Sequence, residues 1–200
     1  HTKKQLQIKS GEAYSLISIK MKKDLERTIT LPEGFTAEAK ENELTIKGNS
    51  TELTKEFDLG RAKMKVNGSD IVLSAKGATR RESTMIGTTW AHINNMVKGL
   101  STDFEYILEV CNVHFPMNVK AEGDHITIKS FLGEKVDRVA KIVPGVKVEI
   151  KGTQITVTSN EIEKAGQTAA NLEKATRLKG RDRRIFQDGI FITTKNGIAI

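Results

Sequence analysis

The chain repeats itself, and that repetition restricts what it can fold into more than any other feature. ELTIKGNSTELTKEF (residues 43–57) reads like HITIKSFLGEKVDRV (125–139), which places Leu44-Thr45-Ile46-Lys47 on Ile126-Thr127-Ile128-Lys129 at a spacing of 82. KVNGSDIVLS (65–74) then matches EIKGTQITVT (149–158) at a spacing of 84, with Gly68 on Gly152, Ile71 on Ile155 and Leu73 on Val157. Each half begins near an apolar residue followed by proline, Leu31-Pro32 and Phe115-Pro116, and ends in a helical stretch that Lys98-Gly99 or Lys179-Gly180 is expected to close. One unit is written twice, with a boundary near Leu100 to Asp103.

The segments of each unit alternate apolar and polar residues between Gly-containing turns, the pattern of half-buried antiparallel strands joined by hairpins. VNGSDIVL and EIKGTQITV are the clearest hairpins, and Gly68, Gly123, Gly145 and Gly152 sit where such turns need positive φ. In the first helix Thr79 and Glu82 form a capping box, and Ile86, Trp90, Ile93 and Val97 share a face. In the second, Asn160 and Glu163 take the capping roles, and the stripe is Ile162, Ala165, Ala169 and Leu172, whose smaller residues imply a closer approach to the sheet. The fold expected is α+β: two tandem duplicated domains, each a small antiparallel β-sheet with one helix packed on a face. Residues 1–21 are expected as an N-terminal extension, 22–102 as the first repeat, 103–195 as the second and 196–200 as a C-terminal tail. FEYILEVCNVHF (104–115) would be a long opening strand, and GIFI (189–192) would return as a strand or pack along the sheet.

Little in the chain points to catalysis. The single cysteine, Cys111, excludes an intramolecular disulfide framework. No run approaches the roughly 18 apolar residues of a membrane span, and no signal-peptide pattern opens the chain, so a soluble intracellular protein without membrane partners is expected. Cys111 and His114 make a C-x-x-H pair, but residues three apart on a strand face opposite ways, and a structural zinc site needs about four ligands. Cys111 is read as a small core residue. There is no phosphate-cradling glycine motif, and the carboxylate pairs Glu41 with Glu43 and Glu161 with Glu163 look like caps and solvated faces. The expectation is no enzyme, no cofactor, no metal and no small-molecule substrate.

The formal charge of +7 matters for where it is concentrated. Residues 174–184 hold six Lys or Arg and one Asp. Basic residues in a last helical turn favour its negative end, which accounts for Lys174 and Arg177. It does not account for Arg181, Arg183 and Arg184, beyond the Gly180 stop. Arg engages phosphate through a planar fork where Lys offers a point charge. An anion-binding loop of Arg177, Lys179, Gly180, Arg181, Arg183 and Arg184 therefore ranks ahead of a solvated helix end. Aromatics are only 5%, which disfavours a stacking platform for single strands and favours phosphate and 2′-hydroxyl contact with folded RNA.

HINNMVKG (92–99), HFPMNV (114–119), FLGEK (131–135), PGV (144–146) and RRIFQDGIFI (183–192), set on the duplicated unit, resemble the universal large-subunit ribosomal protein family numbered six in bacteria and nine in eukaryotes, in its archaeal and eukaryotic form. The resemblance covers residues 22–195. It implies a cytoplasmic, ribosome-bound structural protein that binds large-subunit ribosomal RNA chiefly through its second domain, near the sarcin-ricin region and the elongation-factor site, among neighbouring large-subunit ribosomal proteins. The family's basic loop falls on Lys179, Gly180, Arg181, Arg183 and Arg184. The alternatives are a non-ribosomal protein-interaction module that uses exposed sheet edges and, last, an enzyme that uses Cys111.

Overall fold

The structure, a computed structural model, describes residues 23–40, 42–48 and 51–200. The N-terminal extension expected over residues 1–21 lies outside the described residues. Backbone packing divides the chain into two units between Leu100 and Ser101.

In the first unit, β1 (Lys23–Thr30), β6 (Asp70–Ala78) and β5 (Lys63–Asn67) form one antiparallel sheet in the order β1-β6-β5, and β2 (Thr36–Lys40), β3 (Glu43–Lys47) and β4 (Glu52–Glu56) form another in the order β2-β3-β4. Alternation puts Leu44, Ile46, Ile71 and Leu73 fully inside, where they meet Ile86 and Ile93 of helix α1 (Arg80–Ser101). The second unit repeats this plan. β7 (Phe104–Cys111) and the hairpin of β11 (Lys147–Lys151) with β12 (Gln154–Ser159) match β1, β5 and β6, while β8 (Asn118–Glu122), β9 (His125–Lys129) and β10 (Arg138–Lys141) form the second sheet. Helix α2 (Ile162–Ala175) buries Ala165, Ala169 and Leu172 against Leu108, Ile128, Ile155 and Val157. After α2 the chain adds β13 (Gly189–Lys195) and β14 (Ile198–Ala199), giving a five-stranded sheet of order β11-β12-β7-β13-β14.

The α+β duplication stands, and each unit has two small sheets where one was expected. GIFI returns as a strand. The opening strand of the second unit stops at Cys111, short of residue 115. Residues 196–200, expected as a tail, turn at Asn196 and Gly197, both at positive φ, and pair Ile198 with Lys195.

Both Lys-Gly stops fail, in different ways. Helix α1 runs through Lys98 and Gly99 to Ser101, with Gly99 buried within it. Helix α2 ends at Ala175, ahead of Lys179 and Gly180, and Arg138 Nη1 donates to the carbonyls of Ala175 (2.9 Å) and Arg177 (3.2 Å), acceptors that the ended ladder leaves without a helical partner. Glu82 does accept the Thr79 N–H at 3.0 Å, as expected of the capping box. At α2 the capping position falls on Glu161 and not on Asn160. The Glu161 side chain does not cap, and the hydroxyl of Ser159 accepts the Glu161 N–H at 3.2 Å, so the box expected of Asn160 and Glu163 is out of register. On α1 the buried stripe is Ile86, Thr89, Ile93 and Met96. Trp90 is 38% exposed with the Arg27 guanidinium 5.5 Å from its ring, since spacings of three and four both fit the helical period and the smaller Thr89 takes the inner place.

The duplication also offers a packing comparison. Arg27 pairs with Leu73 and Tyr106 with Val157, so the two are equivalent, and each lies nearest a helix glycine. A Cβ on Gly166 would sit 3.2 Å from Tyr106 Oη, whereas one on Gly87 meets only Arg27 Nη1 at 4.0 Å. Gly87→Ala is therefore expected to stabilise the protein by about 0.5–1 kcal/mol, the helix-interior preference for Ala over Gly. Gly166→Ala should fall short of that gain, and should recover it in a Tyr106→Phe background. Urea denaturation of the four variants checks this; an equal gain from both glycines in the natural background would refute the tighter packing of α2.

Candidate nucleic-acid interface

Residues 176–188 connect α2 to β13, and two buried polar side chains fasten the ends of this connection. Thr176 Oγ1 accepts the Ile190 N–H at 2.9 Å. Asp188, only 2% exposed, accepts the N–H groups of Val113 (2.7 Å) and His114 (2.9 Å) on Oδ1 and bonds His114 Nδ1 through Oδ2 at 2.5 Å. Burial pushes the Asp188 carboxyl upward, but these three bonds outweigh it and hold the pKa below the ordinary Asp value.

The middle of the loop folds on Asp182. Its carbonyl accepts from the N–H groups of Ile185 and Phe186, and its carboxylate takes the Arg184 N–H (2.9 Å) together with the guanidinium at Nη2 (2.8 Å). Those bonds from Arg184 hold the Asp182 pKa below and the Arg184 pKa above their usual values. Phe186 stacks on His114 with centroids 5.1 Å apart, and the Arg181 guanidinium lies 4.9 Å from the Phe186 ring. On the other side Arg138 grips both oxygens of Glu134 (2.8 and 2.7 Å) and lies 4.2 Å from the Phe131 ring. That tie joins the 3-10 turn Phe131–Gly133, part of FLGEK, to the end of α2.

The expected site residues separate onto two depressions flanking residues 174–178. A groove of about 450 Å³ is lined by Arg177, Lys179 and Arg181 with Lys174 and Arg138. A cavity of about 660 Å³ is lined by Arg177 and Arg183, with Phe186, Phe191, Glu173 and Asp188 among its walls. Arg184 lines neither; its fork is occupied by Asp182. Gly180 takes φ 71° and a Cβ there would touch nothing, so its part is conformational. Cys111, read as core, is half-buried on the wall of the cavity, because β7 ends there. Burial raises its pKa, with Glu109 and Asp188 adding to the effect, and His114 is turned to Asp188. Among the described residues no group of His, Cys, Asp or Glu is arranged to hold a metal, and no helix is long and apolar enough to cross a membrane.

Sequence reasoning missed Arg138, Thr176, His114 and Asp188 as parts of this site. His114 lies in HFPMNV and Asp188 in RRIFQDGIFI, motifs recognisable without an evident local role, whereas no motif marks Arg138 or Thr176.

A family profile described as Ribosomal protein L6 matches residues 31–103 and again 115–189, one match in each unit. Among curated relatives, the large ribosomal subunit protein uL6 of Methanobrevibacter smithii is 41% identical over 171 residues, 86% of this chain and 96% of its own length. Those of Methanococcus vannielii and Aeropyrum pernix are 39% and 40% identical, covering 86% of this chain and 95% and 94% of their own lengths.

Two outcomes follow from the anchor. Asp188→Ala removes a buried carboxylate that accepts two backbone N–H groups and the His114 ring, and is expected to cost about 1–3 kcal/mol, the scale of hydrogen bonds to a charged group, with Asp188→Asn costing less. Because the folded pKa of Asp188 is depressed, its contribution is complete above the ordinary Asp range and is lost as pH falls through the lowered value. Urea denaturation at stepped pH should show the natural protein losing its advantage over Asp188→Ala on the acid side only. Iodoacetamide should alkylate Cys111 more slowly at pH 7 than it does an unhindered model thiol, since the raised pKa leaves less thiolate; rapid alkylation would contradict the geometry.

Proposed function

The chain belongs to the ribosomal protein L6 family of large-subunit ribosomal proteins, structural and not catalytic, and we propose that it holds ribosomal RNA chiefly through its second unit, at the loop of residues 177–184. The observation that carries this reading is a dense arginine cluster on a backbone fastened at both ends. Lys174, Arg177, Lys179, Arg181 and Arg183 line the two depressions, and preorganisation spares an RNA complex the entropy of ordering the loop. Arginine forks suit phosphate oxygens. The family resemblance supports a position near the sarcin-ricin region and the elongation-factor site, with neighbouring large-subunit proteins as further partners. Membership in the family displaces the non-ribosomal module and the Cys111 enzyme.

Binding of the full chain to a transcribed large-subunit rRNA fragment, followed across KCl concentrations, tests the assignment residue by residue. Arg177→Ala, Arg181→Ala and Arg183→Ala should each weaken binding and flatten the slope of log K against log[salt] by about 0.7–0.9 for every phosphate that the arginine had neutralised. Arg184→Ala should do least, since Asp182 already occupies its fork. Unchanged slopes in all four variants would refute the loop as the RNA-binding surface.

A further inference from the structure

We propose that the cavity beside the arginine loop receives one unstacked nucleobase of the ribosomal RNA, with Arg177 and Arg183 engaging the phosphates on either side of it. This rests on the reading of the loop as the RNA-binding surface and goes beyond it, because phosphate binding alone needs no cavity.

The volume, about 660 Å³, lies within the roughly 300–1,000 Å³ typical of small-molecule sites. Its walls sort by chemistry. Phe191 supplies an aromatic ring, half-buried and seated where Gly189 has no side chain: a Cβ there would come within 3.0 Å of the ring. Cys111 and Val113 add apolar surface. Phe186 contributes less as a stacking face, since His114 and Arg181 already lie against it.

Charge and hydrogen bonding then select among occupants. Glu173 and the ionised Asp188 line the cavity together with the cations Lys174, Arg177 and Arg183, so its walls carry both signs of charge. A nucleobase with its own flanking phosphates can use both. Every base carries N–H groups on its Watson–Crick edge, and Glu173 can only accept. Gln187 donates one amide N–H to the Arg184 carbonyl, and its amide oxygen is a second acceptor beside the remaining N–H. Asp188 has its oxygens committed to Val113 and His114, so it shapes and charges the wall without being drawn away. A nucleotide is the occupant that brings an apolar, N–H-bearing plane and a flanking anion together, and an unpaired loop or bulge is the form of RNA that frees a base to be splayed out.

The test uses the full chain and the same rRNA fragment, with Phe191→Leu and Cys111→Phe, the second of which fills the cavity. Binding is measured across KCl concentrations, and base accessibility is mapped with dimethyl sulfate and a carbodiimide. Both variants are expected to keep the natural salt slope, to bind about five- to a hundredfold more weakly, the scale of one base–aromatic stack, and to release one nucleotide that the natural protein protects. Phe191→Leu is the variant to read should Cys111→Phe fail to fold by circular dichroism. Unchanged affinity and footprint in Phe191→Leu would overturn the cavity and leave the arginine surface standing. A salt slope indifferent to the arginine substitutions would remove the RNA reading of the loop, and the cavity with it.

Discussion

The pairing of β13 with β7 is the interaction on which the second unit's special features depend. A sheet edge carries unpaired N–H and C=O groups that must find partners, and β7 finds them in β13 from Gly189 opposite Cys111 to Lys195 opposite Tyr106. The register slips between Ile192 and Thr194, where the Thr193 hydroxyl donates to the Ile107 carbonyl and mends the break. Once β13 must lie there, the chain leaving α2 has only residues 176–188 in which to turn back. Both ends of that segment are then fixed by the sheet and the helix, and the arginines are carried on a closed loop. In the first unit, among the described residues, β1 pairs with β6 alone, and no equivalent loop is formed.

Closing a loop does not make it rigid; its buried polar groups do that here. Thr176 satisfies the buried N–H of Ile190, worth about 1–3 kcal/mol if orphaned, and the buried Asp188 carboxylate holds the N–H groups of Val113 and His114. Arg138 does the same for carbonyls at the end of α2, and it is tied to an unusual turn in which Ser130 and Leu132 both have positive φ. Such residues cost on the order of 1–3 kcal/mol each. Offsetting this, Phe131 is 1% exposed in the core of the unit, with Arg138 over its ring. A strained short turn thus lies beside the guanidinium that holds the carbonyls where the helix ends and the loop begins.

These dependencies explain what could be seen in the sequence. The duplication, the hairpins at Gly68 and Gly152 and the buried alternation of Leu44, Ile46, Ile126 and Ile128 are local patterns, and they survive in the structure. The helix ends are not legible in the same way because the groups that meet them are not local: Arg138 lies 37 residues before the carbonyl of Ala175 that it holds. A Lys-Gly pair is a good stop signal where nothing else acts, but Gly99 is buried inside α1 and Gly180 lies in a loop already begun. The arginine cluster is legible by composition. Its division between a groove and a cavity is not, since Glu173, Cys111, Asp188 and Phe191 come from separate elements that only the fold assembles.

The lone acid within the arginine run then has a physical place. Five Lys or Arg within residues 177–184 repel one another in the free protein, and an unfastened loop would respond by extending. Asp182 opposes this twice: its carbonyl and carboxylate together draw the backbone of residues 184–186 into a tight turn, and it occupies the fork of Arg184. That turn brings Phe186 under Arg181 and against His114, whose N–H and ring both reach Asp188. The acid at the tip and the acid at the base are therefore connected through one stack of Arg181, Phe186 and His114. Removing the negative charge at Asp182 would raise the net positive charge of the loop while loosening the turn that holds Arg181 and Arg183 in place, so charge alone is a poor guide to how strongly this segment binds a polyanion.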